Sequence, residues 1–236
     1  GTMPSTTGMY SMGPMDFRRD CPALRDRAAT PTLAEYFAAR GYRTMGVGKI
    51  FHSSSATDTF QEYGPRGDWG PFPADGGKFT ATPGGSLWDW GRFPDRDEDT
   101  VDRSVADWAV QRLREPASKP FFLAVWTHEP HYPIKSDPKF KALYPNLTDD
   151  VQREHHANVT QLDHAFGLLM KSLDEQKLTD STFVFFTSDN GPEGDGITTP
   201  GRGSSGGLRE RKRSMHEGGI RVPGLARWPG KIKPGT

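Results

Sequence analysis

The sequence has 236 residues, a length that suits one large domain or two small ones. Lys and Arg together number 30, as do Asp and Glu, so net charge gives no indication of nucleic acid or an acidic membrane surface as a partner. No stretch approaches the roughly 20 apolar residues of a membrane span. The single cysteine, Cys21, excludes an intrachain disulfide and leaves the compartment undetermined.

The first residues of the sequence carry neither a basic segment nor an apolar run, and so do not look like a signal peptide. We expect the sequence to begin inside a domain. Export of the complete protein, to a periplasm, the extracellular space or a lysosome-like compartment, therefore stays open.

The predicted elements alternate between helices and strands along the chain. A helix capped by Thr32 and ended by Gly41 is followed by a strand over residues 42–48. The next region, 53–99, has no period and many aromatic residues, which favours an ordered functional loop. Amphipathic helices are predicted over 100–114 and 151–175, and strands buried on both faces over 120–126 and 183–187. This alternation predicts an α/β fold with a mostly parallel, or mixed, central sheet flanked by helices.

The spacing of apolar residues predicts which side of each helix faces a core. The first helix would use Leu33, Tyr36 and Phe37. The two longer helices would use the sets Val101, Val105, Trp108, Ala109, Leu113 and Val159, Leu162, Phe166, Leu169, Leu173.

Polar clusters follow the predicted strands, where ligands bind in open α/β sheets. They contain Lys49 and His52, then His131, then Asp189 and Asn190, then Lys212 in a basic, Gly-rich stretch over 201–219. Each cluster alone also fits a solvated loop, a turn or a charged surface. Together they combine oxygen ligands suited to Ca²⁺ or Mg²⁺ with cations that attract an anion. Such a pocket could stabilise charge on a sulfate or phosphate ester and protonate a leaving oxygen.

In this order, the clusters resemble the sulfatase family of the alkaline-phosphatase-like superfamily, over almost all of the chain. Gly48-Lys49-Ile50-Phe51-His52 and Pro130-His131-Tyr132-Pro133 are similar to iduronate-2-sulfatase-like members. The later blocks look more like arylsulfatases and the N-acetylgalactosamine-6-sulfatase group; they are the segments 185–192, 208–223 and 228–230.

The resemblance implies a sulfuric ester hydrolase acting on a sulfated carbohydrate or an aryl sulfate ester. It implies that Asp189 and Asn190 are ligands of a metal ion, normally Ca²⁺, with Mg²⁺ as the other candidate. It also implies that Lys49 and His52 contact the nucleophile and assist sulfate release. The remaining pair, His131 and Lys212, would hold the sulfate and protonate the departing alcohol.

The nucleophile motif of the family is not intact in this sequence. Members use a cysteine or serine, oxidised to formylglycine, within Cys-x-Pro-Ser-Arg and followed by Thr-Gly. Met3-Pro4-Ser5 and Thr7-Gly8 resemble remains of this motif but cannot both be aligned with it, and Cys21 lacks the required neighbours. We therefore expect residues 1–236 to be a partial sulfatase catalytic domain, without its N-terminal strand and C-terminal subdomain, and to be inactive alone.

Two other functions remain open from the sequence. A phosphate or phosphonate monoester hydrolase of the same superfamily would use a Thr or Ser nucleophile and two metal ions, and Thr2 keeps this alternative open. A non-catalytic protein that binds sulfated glycans would keep Lys49, His131 and Lys212 but needs no nucleophile. An intact nucleophile motif upstream of these residues would favour the enzyme.

Overall fold

The computed structural model describes residues 17–51, 56–65, 78–80, 89–91, 96–131, 134–193 and 203–236. The chain divides into two compact units. One takes in Gly1–Trp69 with Ser104–His128, and the other takes in Gly70–Arg103 with Glu129–Thr236. Among the described residues, no helix has both the length and the apolar character needed to cross a membrane.

A three-stranded parallel sheet is the centre of the first unit. Its strands are β1 (Arg43–Gly48), β2 (Glu62–Tyr63) and β5 (Phe121–Trp126), in the order β2-β1-β5. Strand β1 is almost entirely buried and pairs with β5 from Arg43 opposite Phe121 to Gly48 opposite Trp126. Only glycine fits at the end of β1, because Gly48 has a φ of +86° and a Cβ there would lie 1.8 Å from the Trp126 carbonyl oxygen.

Short helices precede this sheet: α1 (Phe17–Asp20) and α2 (Leu33–Ala38). The predicted cap of α2 is confirmed, since Thr32 and Glu35 form a reciprocal capping box. The predicted core face of α2 is wrong in part, because Leu33 is 62% exposed and Tyr36 is 42% exposed. Ala34 is buried instead, and Phe37 stacks on Phe122 of β5. A helix of six residues is too short for its sequence period alone to define the side that packs.

Helix α3 (Val101–Leu113) closely matches its prediction. Val105, Ala109 and Leu113 are buried, as their spacing indicates. Thr100 precedes the helix, and its hydroxyl accepts a hydrogen bond from the Arg103 N–H.

Among its described residues, the second unit has two antiparallel strand pairs and three helices that lie wholly within it. Strand β3 (Lys78–Thr80) pairs with β4 (Asp89–Gly91), and β6 (Val184–Thr187) pairs with β7 (Gly224–Arg227). The helices are α4 (Pro138–Lys141), α5 (Asp150–Glu175) and α6 (Glu217–Ile220). Single 3₁₀ turns occur in both units, at Pro22–Leu24, Ala56–Thr59, Asp97–Asp99 and Thr179–Ser181.

The strands β5 and β6 are less buried than their apolar sequences predict. Within the described chain, β5 has a neighbour on one side only; its first five residues are half-buried and Trp126 is exposed. Strand β6 alternates between half-buried and exposed side chains, with Phe185 59% exposed, because it belongs to a two-stranded ribbon. The predicted mixed α/β fold with a parallel sheet is nevertheless confirmed.

Helix α5 has the predicted length, and its predicted face is confirmed in part, because Leu169 and Leu173 are buried. Val159 is exposed, whereas Asn158, Gln161 and Ser172 are buried together with apolar residues such as Ala165 and Leu169. Two of these polar side chains find hydrogen-bond partners in the segment that precedes the helix, which makes their burial tolerable. A prediction from apolar spacing alone misses the polar members of this face.

Candidate active site

The segment 188–193 follows β6 and carries the two predicted metal ligands. The Ser188 hydroxyl donates to the Asn190 carbonyl oxygen at 2.9 Å. The Asn190 side-chain nitrogen donates to the Gly191 carbonyl oxygen at 2.9 Å, so the amide oxygen is the atom of this side chain that is suited to bind a cation. Asp189 and Asn190 therefore lie in a turn at the carboxyl end of a strand, as the sequence predicts.

Glycines allow this turn to pack closely against the segment 209–219, and we call the two segments together the loop pair. The Gly191 N–H donates to the Gly219 carbonyl oxygen at 2.9 Å, and a Cβ at Gly191 would lie 1.9 Å from the Gly218 carbonyl oxygen. A Cβ at Gly218 would likewise lie 1.9 Å from the carbonyl oxygen of Glu210. Backbone this close leaves no room for a side chain, so the glycines determine how the loop pair assembles.

The loop pair brings Lys212 to the same turn as Asp189 and Asn190. The Lys212 N–H donates to the Pro192 carbonyl oxygen at 3.1 Å. Its ammonium nitrogen lies 2.8 Å from Glu193 Oε2, and the side chain is only 15% exposed. The structure thus places three of the six predicted site residues in one cluster.

Glu193 is a member of this cluster that the sequence prediction missed. It forms ion pairs with both Lys212 and Arg213, and Arg211 donates to its backbone carbonyl oxygen. Burial opposes ionisation of Glu193, but hydrogen bonds from Lys212 and Arg213 outweigh it and lower the pKa of the carboxyl group. A carboxylate next to the Ser-Asp-Asn-Gly motif and a nearby run of basic residues was the available signal in the sequence.

The lowered pKa of Glu193 predicts a pH-dependent contribution to stability. This contribution is complete above the ordinary glutamate pKa of 4.5 and disappears as the pH falls below it, through the depressed value of the folded state. In the Glu193→Gln variant, the free energy of unfolding should therefore fall less steeply with acidification than in the parent. Urea unfolding between about pH 3 and 6 measures both slopes.

Glu217→Gln is the matched control, because Glu217 lies in the same loop pair but is exposed and 3.8 Å from Arg221. Its slope should equal that of the parent. Equal slopes for Glu193→Gln and the parent would contradict the stabilising role of the Glu193 ion pairs.

The other predicted catalytic residues lie in separate segments. In the first unit, the Lys49 N–H donates to the Trp126 carbonyl oxygen at 3.0 Å, so Lys49 directly follows the end of β1. In the second unit, half-buried His131 lies on the segment between β5 and α4. His52 lies outside the described residues, as do Met3-Pro4-Ser5 and Thr7-Gly8. Cys21 is buried in the first unit, which agrees with its interpretation as a residue that is not the nucleophile.

The fit of the site to a metal ion can be tested from the available ligands. Asp189 and Asn190 offer oxygen atoms of the type that Ca²⁺ and Mg²⁺ bind. Over the described ranges, however, no group of three or more His, Cys, Asp and Glu side chains is arranged to hold a metal ion. Because Ca²⁺ takes roughly six to eight oxygen ligands, this pair fits the ion in type but not in number. Further ligands would have to come from residues beyond this pair.

Comparison with known proteins gives the class of this chain. The family model described as Sulfatase matches residues 1–236, and the chain therefore belongs to the sulfatase family. This result confirms the resemblance that the ordered sequence blocks indicated.

Individual relatives agree with both subgroups suggested by the motifs. A protein of Formosa agariphila named Sulfatase is 37% identical over 159 residues, which are 61% of this chain and 30% of that protein. Iduronate 2-sulfatase of Homo sapiens is 30% identical over 223 residues, with 68% of this chain and 40% of that protein covered. Arylsulfatase A and N-acetylgalactosamine-6-O-sulfatase also match. The chain spans less than half the length of each of these relatives.

A solved structure supports the fold. The crystal structure of Ps i-CgsB in complex with k-i-k-neocarrahexaose matches with a TM-score of 0.63 and 23% identity. The match covers 84% of this chain and 47% of that one. At this identity the likeness concerns the fold alone.

Proposed function

We propose that the complete protein hydrolyses sulfuric esters and releases sulfate from a sulfated carbohydrate or an aryl sulfate. The observation that carries the proposal is the loop pair. In a chain of the sulfatase family, it carries the side-chain oxygens of Asp189 and Asn190 and the ammonium group of Lys212 beyond the end of β6. An oxygen-ligated cation and a half-buried ammonium group would stabilise the negative charge of a tetrahedral ester.

The proposed roles follow from the chemistry of each side chain. The Lys212 ammonium group has several N–H donors, so it can keep its bond to Glu193 while another N–H binds a sulfate oxygen. Glu193 would then hold Lys212 in place. Together with His131, Lys212 holds the sulfate and supplies a proton to the departing alcohol oxygen. Lys49 and His52 contact the nucleophile.

The proposal includes Ca²⁺, or Mg²⁺, bound by Asp189 and Asn190 together with ligands from elsewhere in the complete protein. Such a cation would offset negative charge on the ester. It also includes the formylglycine nucleophile of the family, for which residues 1–236 contain no intact motif. The carbohydrate and aryl substrates are suggested by relatives named N-acetylgalactosamine-6-O-sulfatase and Arylsulfatase A.

An assay of matched esters tests the proposal. The complete protein should release sulfate from an aryl sulfate or a sulfated oligosaccharide, as measured by ion chromatography. It should turn over the corresponding aryl phosphate and phosphonate much more slowly. Faster phosphate or phosphonate turnover would favour the related monoester hydrolase, and binding of sulfated glycans without turnover would favour the non-catalytic protein.

The isolated chain of residues 1–236 provides a second prediction in the same assay. It should show no sulfatase turnover, because it has no intact nucleophile motif. Turnover of an aryl sulfate by this purified chain would show that the assignment of the nucleophile is wrong.

A further inference from the structure

One buried side chain of α5 joins the two ends of the segment that carries His131. This segment, here called the His131 segment, comprises residues 129–137, of which 129–131 and 134–137 are described. The Gln161 side-chain nitrogen donates to Glu129 Oε1 at one end. The Gln161 side-chain oxygen accepts from the Asp137 N–H, at 2.9 Å, at the other end. Gln161 is 1% exposed, so water does not compete for either bond.

Further hydrogen bonds support the same arrangement. The Glu129 N–H donates to Asp102 Oδ2 at 2.9 Å, and the Asn158 side chain donates to the Lys135 carbonyl oxygen at 2.7 Å. Both the N–H and the hydroxyl of Ser136 donate to Glu154 Oε1 at 2.6 Å. Because one α5 side chain contacts each end of the His131 segment, this helix fixes the positions of both ends.

Glu129 lies in a buried and acidic environment, in which the hydrogen bond from the Gln161 amide stabilises its carboxylate. Burial raises the pKa of Glu129 well above its ordinary value, and the charges of Asp102 and Asp97 add to this effect. Hydrogen bonds from Gln161 and Asn158 oppose the shift. Lys139 and Arg103 lie close to Asp97, at 3.2 and 3.6 Å, and a ring nitrogen of His164 lies 2.9 Å from the same carboxylate. The amide of Gln161 therefore gives Glu129 a hydrogen-bond donor without adding another negative charge next to Asp102 and Asp97.

We infer that Gln161 is a positioning residue for His131, acting by closing the His131 segment between Glu129 and Asp137. This inference rests on the proposed function, since it is the sulfatase reaction that makes the placement of His131 matter. Gln161 does not itself act on the ester. A purely structural glutamine would instead contribute to stability without selectively changing the order of the His131 segment or the catalytic step.

The first experiment replaces Gln161 in the complete protein by methionine, which has a similar length but lacks the amide donor and acceptor. Hydrogen exchange should become at least about tenfold faster in amides of residues 129–137, because both closing bonds are lost. With an aryl sulfate as substrate, kcat should fall about ten- to a hundredfold while KM changes by less than about threefold, as expected for a displaced proton donor.

The matched control is Ser172→Ala on the same helix. Ser172 is also 1% exposed, and its buried hydroxyl makes no hydrogen bond within the described part of the chain. Ser172→Ala should leave the exchange of residues 129–137 and kcat unchanged. Equal effects of the two variants would overturn the inference, because they would reflect general loosening of α5.

Exchanging the carboxyl group and the amide between positions 129 and 161 gives a measurement that a purely structural role would not change. Gln161→Glu alone places a second carboxyl group next to that of Glu129 and should impair kcat as Gln161→Met does. Adding Glu129→Gln restores one carboxamide and one carboxylate between positions 129 and 161, so kcat should recover at least about tenfold. Absence of recovery, with a folded double variant, would overturn the inference.

These outcomes separate the inference from the proposed function. A complete protein that turns over sulfate esters, with Gln161→Met unchanged in kcat and exchange, contradicts the positioning role alone. A complete protein without sulfatase turnover contradicts the proposed function. The exchange experiment then still decides whether Gln161 closes the His131 segment, and unchanged exchange would overturn that as well.

Discussion

Lys212→Met in the complete protein is expected to lower kcat/KM for an aryl sulfate by about a hundred- to ten-thousandfold, the usual contribution of a positioned acid or cation. The substitution keeps most of the side-chain length but removes the ammonium group that faces Glu193. In the proposed mechanism, loss of this cation weakens the binding of the sulfate charge and the supply of a proton to the departing oxygen. Steady-state kinetics measures the loss, and circular dichroism checks that the variant is folded.

Arg213→Gln is the matched control for charge. Arg213 is the next residue and pairs with the same carboxylate, but its side chain is 71% exposed. An exposed ion pair contributes little, so kcat/KM should stay within about threefold of the parent. Equal losses in the two variants would show that the total charge of the loop pair matters and that Lys212 has no specific role.

Removal of Lys212 also takes away one of the two ion-pair partners of Glu193 and leaves only Arg213. The resulting loss of stability is a second reason for activity to fall. The double variant Lys212→Met with Glu193→Gln removes the carboxylate charge as well. If the catalytic role is correct, this double variant should recover stability but not activity. Recovery of activity would mean that Lys212 acts only by neutralising Glu193.

Gly191→Ala is expected to destabilise the protein by about 3 kcal/mol or more, because overpacking against a backbone that cannot move is among the costliest substitutions. The new Cβ would lie 1.9 Å from the Gly218 carbonyl oxygen, so the loop pair would have to separate. Separation would also break the bond from the Gly191 N–H to the Gly219 carbonyl oxygen. The free energy of unfolding in urea measures the loss, and activity should disappear with it.

Gly167→Ala provides the control for this prediction. Gly167 lies within α5, has no heavy atom within 4 Å of its Cβ position, and has an ordinary helical φ. Alanine should therefore stabilise the protein by roughly 0.5 to 1 kcal/mol through its better helix propensity. If Gly191→Ala were as harmless as Gly167→Ala, the close packing of the loop pair would be wrong.

Local rules made several elements predictable from the sequence. Thr32 and Glu35 form a cap from residues three apart, and the spacing of Val105, Ala109 and Leu113 defines one side of a helix. Such features depend on neighbours within a turn or two, so the sequence contains all that is needed. The family resemblance depended likewise on the order of short motifs.

Part of the candidate site followed from the same reasoning. The placement of Asp189 and Asn190 after a strand could be predicted, because apolar strands and the polar turns behind them are local patterns. That Lys212 lies beside that turn could be predicted only through the resemblance to a family. Nothing in the intervening residues indicates that the two segments meet.

The remaining features depend on contacts between residues far apart in the chain. Glu193 belongs to the candidate site because the loop pair brings Lys212 and Arg213 to it. Gln161 is buried at a place where its amide forms hydrogen bonds with Glu129 and with the Asp137 N–H. The spacing of apolar residues predicted the class of fold and the longer helices and strands, and the order of short motifs carried the resemblance to sulfatases. Only the tertiary structure decided which polar residues are buried, since burial of a polar group depends on partners that the local sequence does not name.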